Sequence, residues 1–461
     1  MSRSAELTAR APRAWVAATS LATLLAATLA VAGCGGAAAG SAPSPAAAAP
    51  LRVAEFASVV DSMILAAPFR NAHWGVLVID PQTGDTIYSR NAGKLFMPAS
   101  NQKLITGAAA LTLLGPDYRF RTQFSSAGQI AGGVLNGDLI VTPSGDPTFS
   151  DNMWNGDYHN AFRAMADSLV AHGVQQITGA LVRGSTPFPD GACGYGWELD
   201  DLDEAYGACV QDLFVNEGLT RVKRAKPFAD SITVDVAIRD PRGAFFSALY
   251  TALVERGVIL SGPIDTFHVR SANRLPAIFA MRSPPLPVIV TRMMKPSQNQ
   301  IAELLFKTVG REMGGAGTAD SARRVVERQL RAWGIDTLGF AVRDGSGMSR
   351  HDFLSPETVV RILDIMRRGP HFGVWYDALP IAGVDGTIET RMRGTPAQGN
   401  VHAKTGTVDK ARSLSGYVTT ADGRMLIFSF LCNNFTTPNR DVERVQDAIL
   451  VTLAGRPRPV K

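Results

Sequence analysis

The stretch Ser100 to Leu114, SNQKLITGAAALTLL, follows Pro98-Ala99 and is stopped by Gly115-Pro116. Its Ala and Leu content predicts a helix with Ser100 at or near the first turn. Residues three apart share a helix face, so the Lys103 amine is expected beside the Ser100 hydroxyl. A serine hydroxyl is a weak nucleophile at its own pKa and needs a neighbouring base. Lys103 serves as one only when neutral, and burial together with a second nearby cation lowers a lysine pKa. Lys404 is the candidate for that cation. The helix N-terminus adds positive potential where an oxyanion would form, with the Ser100 N–H as a donor. A plain N-cap is the simpler role for such a serine. The choice between the two roles therefore turns on the rest of the chain.

Two further strings decide it. Ser297-Gln298-Asn299 follows Lys295-Pro296 and leads into the helical run Gln300 to Phe306. Ser297 is thus on a turn into a helix, where it can bridge the Lys103 amine and a leaving-group nitrogen, and Asn299 can hydrogen-bond a substrate amide. S-x-N also recurs elsewhere, as at Ser89-Arg90-Asn91 and Ser271-Ala272-Asn273, without a helix following. Lys404-Thr405-Gly406-Thr407 opens a stretch through Val418, and Met425 to Leu431 runs back, which reads as a hairpin. A strand carrying K-T-G at a cleft edge can pair with an extended peptide, and Gly406 leaves room for its approach. Lys404 and Thr405 suit a substrate carboxylate, and the Thr407 N–H is the second oxyanion donor.

The ordered set S-x-x-K, S-x-N and K-T-G is that of the penicillin-recognising serine acyltransferases. The chain resembles the D-alanyl-D-alanine carboxypeptidase/endopeptidase family of low-molecular-mass, class C penicillin-binding proteins. Between Lys103 and Ser297 lie 193 residues, the place where that class carries extra domains. Family-like strings also occur at Gly137-Asp138-Leu139, Gly145-Asp146-Pro147, Ser283 to Leu286, Asp344 to Ser349 and Pro380 to Thr387. The resemblance spans about residues 53 to 455. One departure is Gln298, where many relatives have Asp. The implied fold class is α/β (α+β): a β-lactamase/transpeptidase-like domain with an antiparallel sheet flanked by helices and a large inserted β-rich region. The expected division is residues 51–118 and 282–461 for the catalytic domain and 119–281 for the insert.

The remaining residues bound the setting. The chain has 461 residues, with 46% hydrophobic and 19% charged, which leaves room for more than one soluble domain. Formal charge is +5, and residues 1–33 contribute Arg3, Arg10 and Arg13 against Glu6, a net +2. The +3 that remains argues for no nucleic-acid partner. A basic start and an apolar run from Trp15 to Ala32, closed by Val31-Ala32-Gly33-Cys34, read as a secretory signal peptide over 1–33. The closing string resembles a bacterial lipobox, which makes Cys34 the lipidated residue and the membrane a partner through a lipid anchor. Residues 34–50, rich in Ala, Pro, Ser and Gly, read as a flexible tether. An exported, periplasmic-side location permits a disulfide between Cys193 and Cys209, with two free thiols as the alternative, while Cys432 looks buried in an apolar strand. No metal-ligand spacing occurs and no cofactor is implied.

The expected activity is a serine-type D-Ala-D-Ala carboxypeptidase or D,D-endopeptidase. Its partners are peptidoglycan peptides and β-lactam inhibitors, with Ser100, Lys103 and Ser297 catalytic. The alternatives are a β-lactamase or esterase on the same scaffold, and a non-catalytic cell-wall binding lipoprotein.

Overall fold

A computed structural model of the protein describes residues 49–226 and 229–461. The signal peptide over 1–33, Cys34 and nearly all of the tether lie outside the described residues.

The strand Met425–Asn433, MLIFSFLCN, is buried at every position but its first. An apolar run of this length without polar alternation calls for cover on both faces. The strand is the middle one of a five-stranded antiparallel sheet ordered His402–Val408, Ala411–Thr419, Met425–Asn433, His73–Ile79, Thr86–Arg90. Successive side chains leave opposite faces. Trp74, Val76 and Val78, in register with Cys432, Phe430 and Phe428, pack with Phe56 and Val60 of the helix Val53–Ile64 and Ile449 and Leu450 of the helix Asn439–Ala454. Leu77, Tyr417 and Ile427 belong to the other core, with side chains of the helices Gln102–Leu113, Leu286–Met294, Asn299–Gly314 and Pro356–Arg368.

The helix Gln102–Leu113 is buried from Gln102 through Leu111. From Leu104 to Leu111 its residues are apolar or small but for Thr106, as befits a helix enclosed by its own protein, and Gln102 and Lys103 are buried with them. Its N-terminal end meets the sheet at the edge strand His402–Val408, and this meeting builds the site.

A second five-stranded sheet is made of Ile264–Val269, Leu181–Arg183, Leu139–Thr142, Arg121–Ser125 and Ala277–Arg282, in that order, with parallel and antiparallel neighbours. Alongside these strands stand two helices, His159–Ala171 and Pro241–Glu255. The second of them, PRGAFFSALYTALVE, places Phe245, Phe246, Leu249 and Leu253 at helical spacing in a core shared with Phe162 and Leu169 of the first. The region expected to be β-rich thus owes much of its core to helices. Cys193 and Cys209 are joined by a disulfide, with Cα atoms 4.7 Å apart, and Cys432 is a buried free thiol.

Between sheet and helices, the fully buried Tyr417 hydroxyl accepts from Trp375 Nε1 at 3.0 Å and donates to the Leu363 carbonyl at 2.7 Å. Tyr417→Phe strands a donor and an acceptor away from water, and the expected loss is about 1–3 kcal/mol, read from the urea midpoint at unchanged slope.

Candidate active site

Ser100 stands in the short 3-10 turn Ala99–Asn101, directly before the helix Gln102–Leu113. The helix expected to begin at Ser100 therefore starts two residues later. Ala99 holds φ at 48°, a left-handed conformation that a non-glycine residue adopts only when its surroundings impose it. Those surroundings are visible. A Cβ on Gly347 would overlap the Ala99 carbonyl, Ser413 Oγ donates to the Pro98 carbonyl at 2.7 Å, and Asn101 Nδ2 donates to the Lys404 carbonyl at 2.9 Å. The turn is fixed to the K-T-G strand and its neighbour.

Lys103 is fully buried. Its Nζ lies 2.8 Å from Ser100 Oγ, 2.5 Å from Asn299 Oδ1 and 2.9 Å from the Ser346 carbonyl oxygen. A neutral amine has two N–H bonds and one lone pair. Asn299 Oδ1 and the Ser346 carbonyl can only accept, so they take the two N–H bonds and leave the lone pair for the Ser100 hydroxyl. Burial pushes the Lys103 amine down to about 7, against the pull of Asp344 and Glu303 in the opposite direction. Lys404, also fully buried, is driven well below its ordinary value by burial and then by Lys103. The sequence expected burial and the Lys404 cation together to lower Lys103; burial does so, while the charges acting on it, Asp344 and Glu303, raise it.

Ser297 precedes the helix Asn299–Gly314 and holds φ at 65°, again left-handed. Its Oγ accepts from Lys404 Nζ at 2.8 Å. The expected bridge from Ser297 to Lys103 is thus replaced by one to Lys404, because three other groups already surround Lys103 Nζ. Asn299, expected to meet substrate, has both amide ends engaged by the protein: Oδ1 accepts from Lys103, and Nδ2 donates to the Tyr206 carbonyl at 2.8 Å. Gln298 caps the helix, its Oε1 accepting from Gln300 N at 2.7 Å and Ile301 N at 3.3 Å, while its Nε2 donates to Glu217 at 3.2 Å. The departure at this position is a capping substitution that reaches a carboxylate of the neighbouring segment.

The K-T-G strand is an edge of the first sheet. Ala403 N donates outward to the Pro380 carbonyl at 2.9 Å, so by alternation the N–H groups of Thr405 and Thr407 point to the same open side. Thr405 Oγ1 donates to Thr387 Oγ1 at 2.7 Å, and Thr407 is exposed. Gly406 serves differently from expectation. A Cβ there would meet Ser413 Oγ, the Pro98 carbonyl and Ser100 N, so its lack of a side chain lets strand and nucleophile turn approach each other. Ser100 opens into a cavity of about 620 Å³ whose walls include Ser297, Asn299, Thr405 and Thr407.

Sequence reasoning missed Ser346, Asp344, Glu303 and Tyr206 as parts of this network. The Asp344 to Ser349 string stood out only as family-like. Glu303, one helical turn beyond Asn299, was legible as a same-face neighbour.

A family model described as the D-Ala-D-Ala carboxypeptidase 3 (S13) family matches residues 57–231 and 224–455. The chain belongs to the S13 family. It is 34% identical over 463 residues to a D-alanyl-D-alanine carboxypeptidase of Actinomadura sp. (strain R39), covering 87% of this chain and 85% of that protein. The crystal structure of penicillin binding protein 4 from Haemophilus influenzae matches with a TM-score of 0.76 at 22% identity, over 86% of this chain and 99% of the other. A predatory peptidoglycan endopeptidase of Bdellovibrio bacteriovorus matches with a TM-score of 0.55 at 18% identity, over 85% and 95%. The two structural likenesses establish a shared fold.

Gly406→Ala is expected to leave a folded protein whose Ser100 reacts about 100-fold more slowly with an acylating probe, since displacement of the strand misplaces the attacking atom. Timed intact-mass spectra beside a thermal unfolding curve measure both properties.

Proposed function

We propose that this S13 enzyme is a serine-type D-Ala-D-Ala carboxypeptidase and D,D-endopeptidase that cleaves peptidoglycan peptides through an acyl-serine and is acylated by penicillins. The observation that carries the reading is the Lys103 amine, 2.8 Å from Ser100 Oγ with its two N–H bonds directed elsewhere. Ser100 Oγ attacks the carbonyl carbon of the penultimate D-Ala while its proton passes to Lys103 Nζ. The N–H groups of Ser100 and Thr407 receive the developing oxyanion. As the C–N bond breaks, the leaving nitrogen takes a proton through Ser297 Oγ, which contacts Lys404 Nζ and is reprotonated from the lysine pair. Water then hydrolyses the ester and restores Ser100. Lys404, Thr405 and Gly406 form the edge along which the peptide lies.

The setting is also a proposal. Residues 1–33 are read as a lipoprotein signal, Cys34 as the lipidated residue, and 34–50 as the tether that holds the enzyme to the periplasmic side of a membrane. Residues 119–281 are read as an insert in a catalytic domain formed by 51–118 and 282–461.

Incubation of the full-length chain with benzylpenicillin is expected to add one penicillin mass to the wild type and none to Ser100→Ala. A peptide ending in D-Ala-D-Ala is expected to lose its last residue to the wild type alone. Penicillin destroyed without a lasting adduct is the signature of a β-lactamase and counts against the proposal. Lys103 is the proton acceptor only when neutral, so the acylation rate is expected to rise as pH increases through about 7 and then level off. A rate that stays flat between pH 5 and pH 9 excludes Lys103 as the base. In cell fractions, Cys34→Ala is expected to move the protein from the membrane pellet to the soluble fraction, with its penicillin reactivity intact.

A further inference from the structure

Glu303 is 3% exposed and lies one helical turn beyond Asn299. Its Oε1 accepts from the backbone N–H of Gly345 at 3.0 Å and of Ser346 at 2.7 Å. The loop is held from its other side as well. Asp344 Oδ1 accepts from Ser346 N at 3.1 Å and Gly347 N at 2.7 Å, and its Oδ2 accepts from Ser349 N and from Trp197 Nε1, both at 2.8 Å. Thr106 Oγ1 donates to the Gly345 carbonyl at 2.6 Å. The carbonyl left over is that of Ser346, 2.9 Å from Lys103 Nζ.

Two buried carboxyls side by side are unfavourable unless each is well hydrogen-bonded. Nothing in the packing calls for an acid at 303, whose helical neighbours Ala302, Leu304 and Leu305 are plain core residues. What the acid supplies is one oxygen placed to take two adjacent N–H groups. Two glycines in the string Asp344-Gly345-Ser346-Gly347 give this loop little conformational preference of its own, so its shape comes from the side chains that bind it.

We propose that Glu303 is a positioning residue for the lysine base: by fixing the Gly345–Ser346 backbone it aims the Ser346 carbonyl at one N–H of Lys103, so that the lone pair of the amine faces Ser100. The proposal rests on Lys103 being the base, as read above. The charged groups around Glu303 are Asp344 on the loop, Lys307 on its own helix and Lys103 on the nucleophile helix, with Asp352 beyond Asp344. Burial and Asp344 push the Glu303 carboxyl up to about 8, while the N–H of Ser346 and the Lys307 ammonium pull it down. Near neutral pH a protonated carboxyl still offers its carbonyl oxygen to both N–H groups, and glutamine is its near isostere.

The test uses the full-length chain and separates the non-covalent affinity for benzylpenicillin from the acylation rate constant at pH 7, for Glu303→Gln, Glu303→Asp and Glu303→Ala. Glu303→Gln is expected to stay within about threefold of wild type in both quantities. Glu303→Ala and Glu303→Asp, which lose the acceptor or its reach, are expected to fall about 100-fold in rate constant with affinity within about threefold. Thermal unfolding identifies the folded variants; should Glu303→Ala not fold, Glu303→Asp decides by the same criterion. A folded variant lacking the acceptor that acylates at the wild-type rate overturns the proposal. So does Glu303→Gln as slow as Glu303→Ala, or a loss confined to affinity. Lys103→Ala acylating at the wild-type rate is a separate result that removes the base itself.

Discussion

An ammonium group kept from water is the constraint on which the centre of this protein depends. Desolvation of such an ion costs several kcal/mol, so a lysine held inside tends to give up its proton, and Lys103 is held inside on every side. The neutral amine then needs acceptors for its two N–H bonds, and the fold supplies them from two separate places in the chain: the helix that begins at Asn299 and the glycine-rich loop after Asp344. Lys404, buried on the sheet side, is itself pushed down by burial and by Lys103. Close packing around the Lys103 nitrogen is what disfavours its charged form.

Much of this was legible in the sequence, and for one reason. The chemistry of a serine nucleophile needs a few residue types at short, fixed spacings, and short spacings are what a sequence displays. Ser100 and Lys103 are a helical pair by periodicity alone, and the buried strand Met425–Asn433 announces itself by its composition. Within the site, the structure's departures involve contacts between distant segments. Asn299 lines the cavity with its amide already engaged, by Lys103 at one end and by the Tyr206 carbonyl at the other. Ser297 meets Lys404 because Lys103 already has three partners. Gly406 makes room for Pro98 and Ser100, which no local pattern reveals. Partners of this kind are set by tertiary packing, and one chain read alone carries no pattern for them.

The segment closed by Cys193 and Cys209 shows the same dependence. Trp197 donates to Asp344, the Tyr206 carbonyl accepts from Asn299, and the Ala208 carbonyl accepts from Gln300. The Lys103 environment is therefore buttressed by backbone that was hard to read in the sequence, a Gly- and Asp-rich stretch with only short 3-10 turns. A disulfide limits how far such a stretch wanders when not in place. It thereby favours the conformation in which these donors and acceptors meet.

The sheet is closed by both ends of the described chain: His73–Ile79 pairs along its whole length with Met425–Asn433. The contact between Asn101 and the Lys404 carbonyl spans 303 residues. Closing loops of that length costs chain entropy that the packed sheet must offset. The serine and lysine near the front of the described chain thus take their dry setting from strands near its other end, and the reactivity of Ser100 is as non-local as the sheet that carries it.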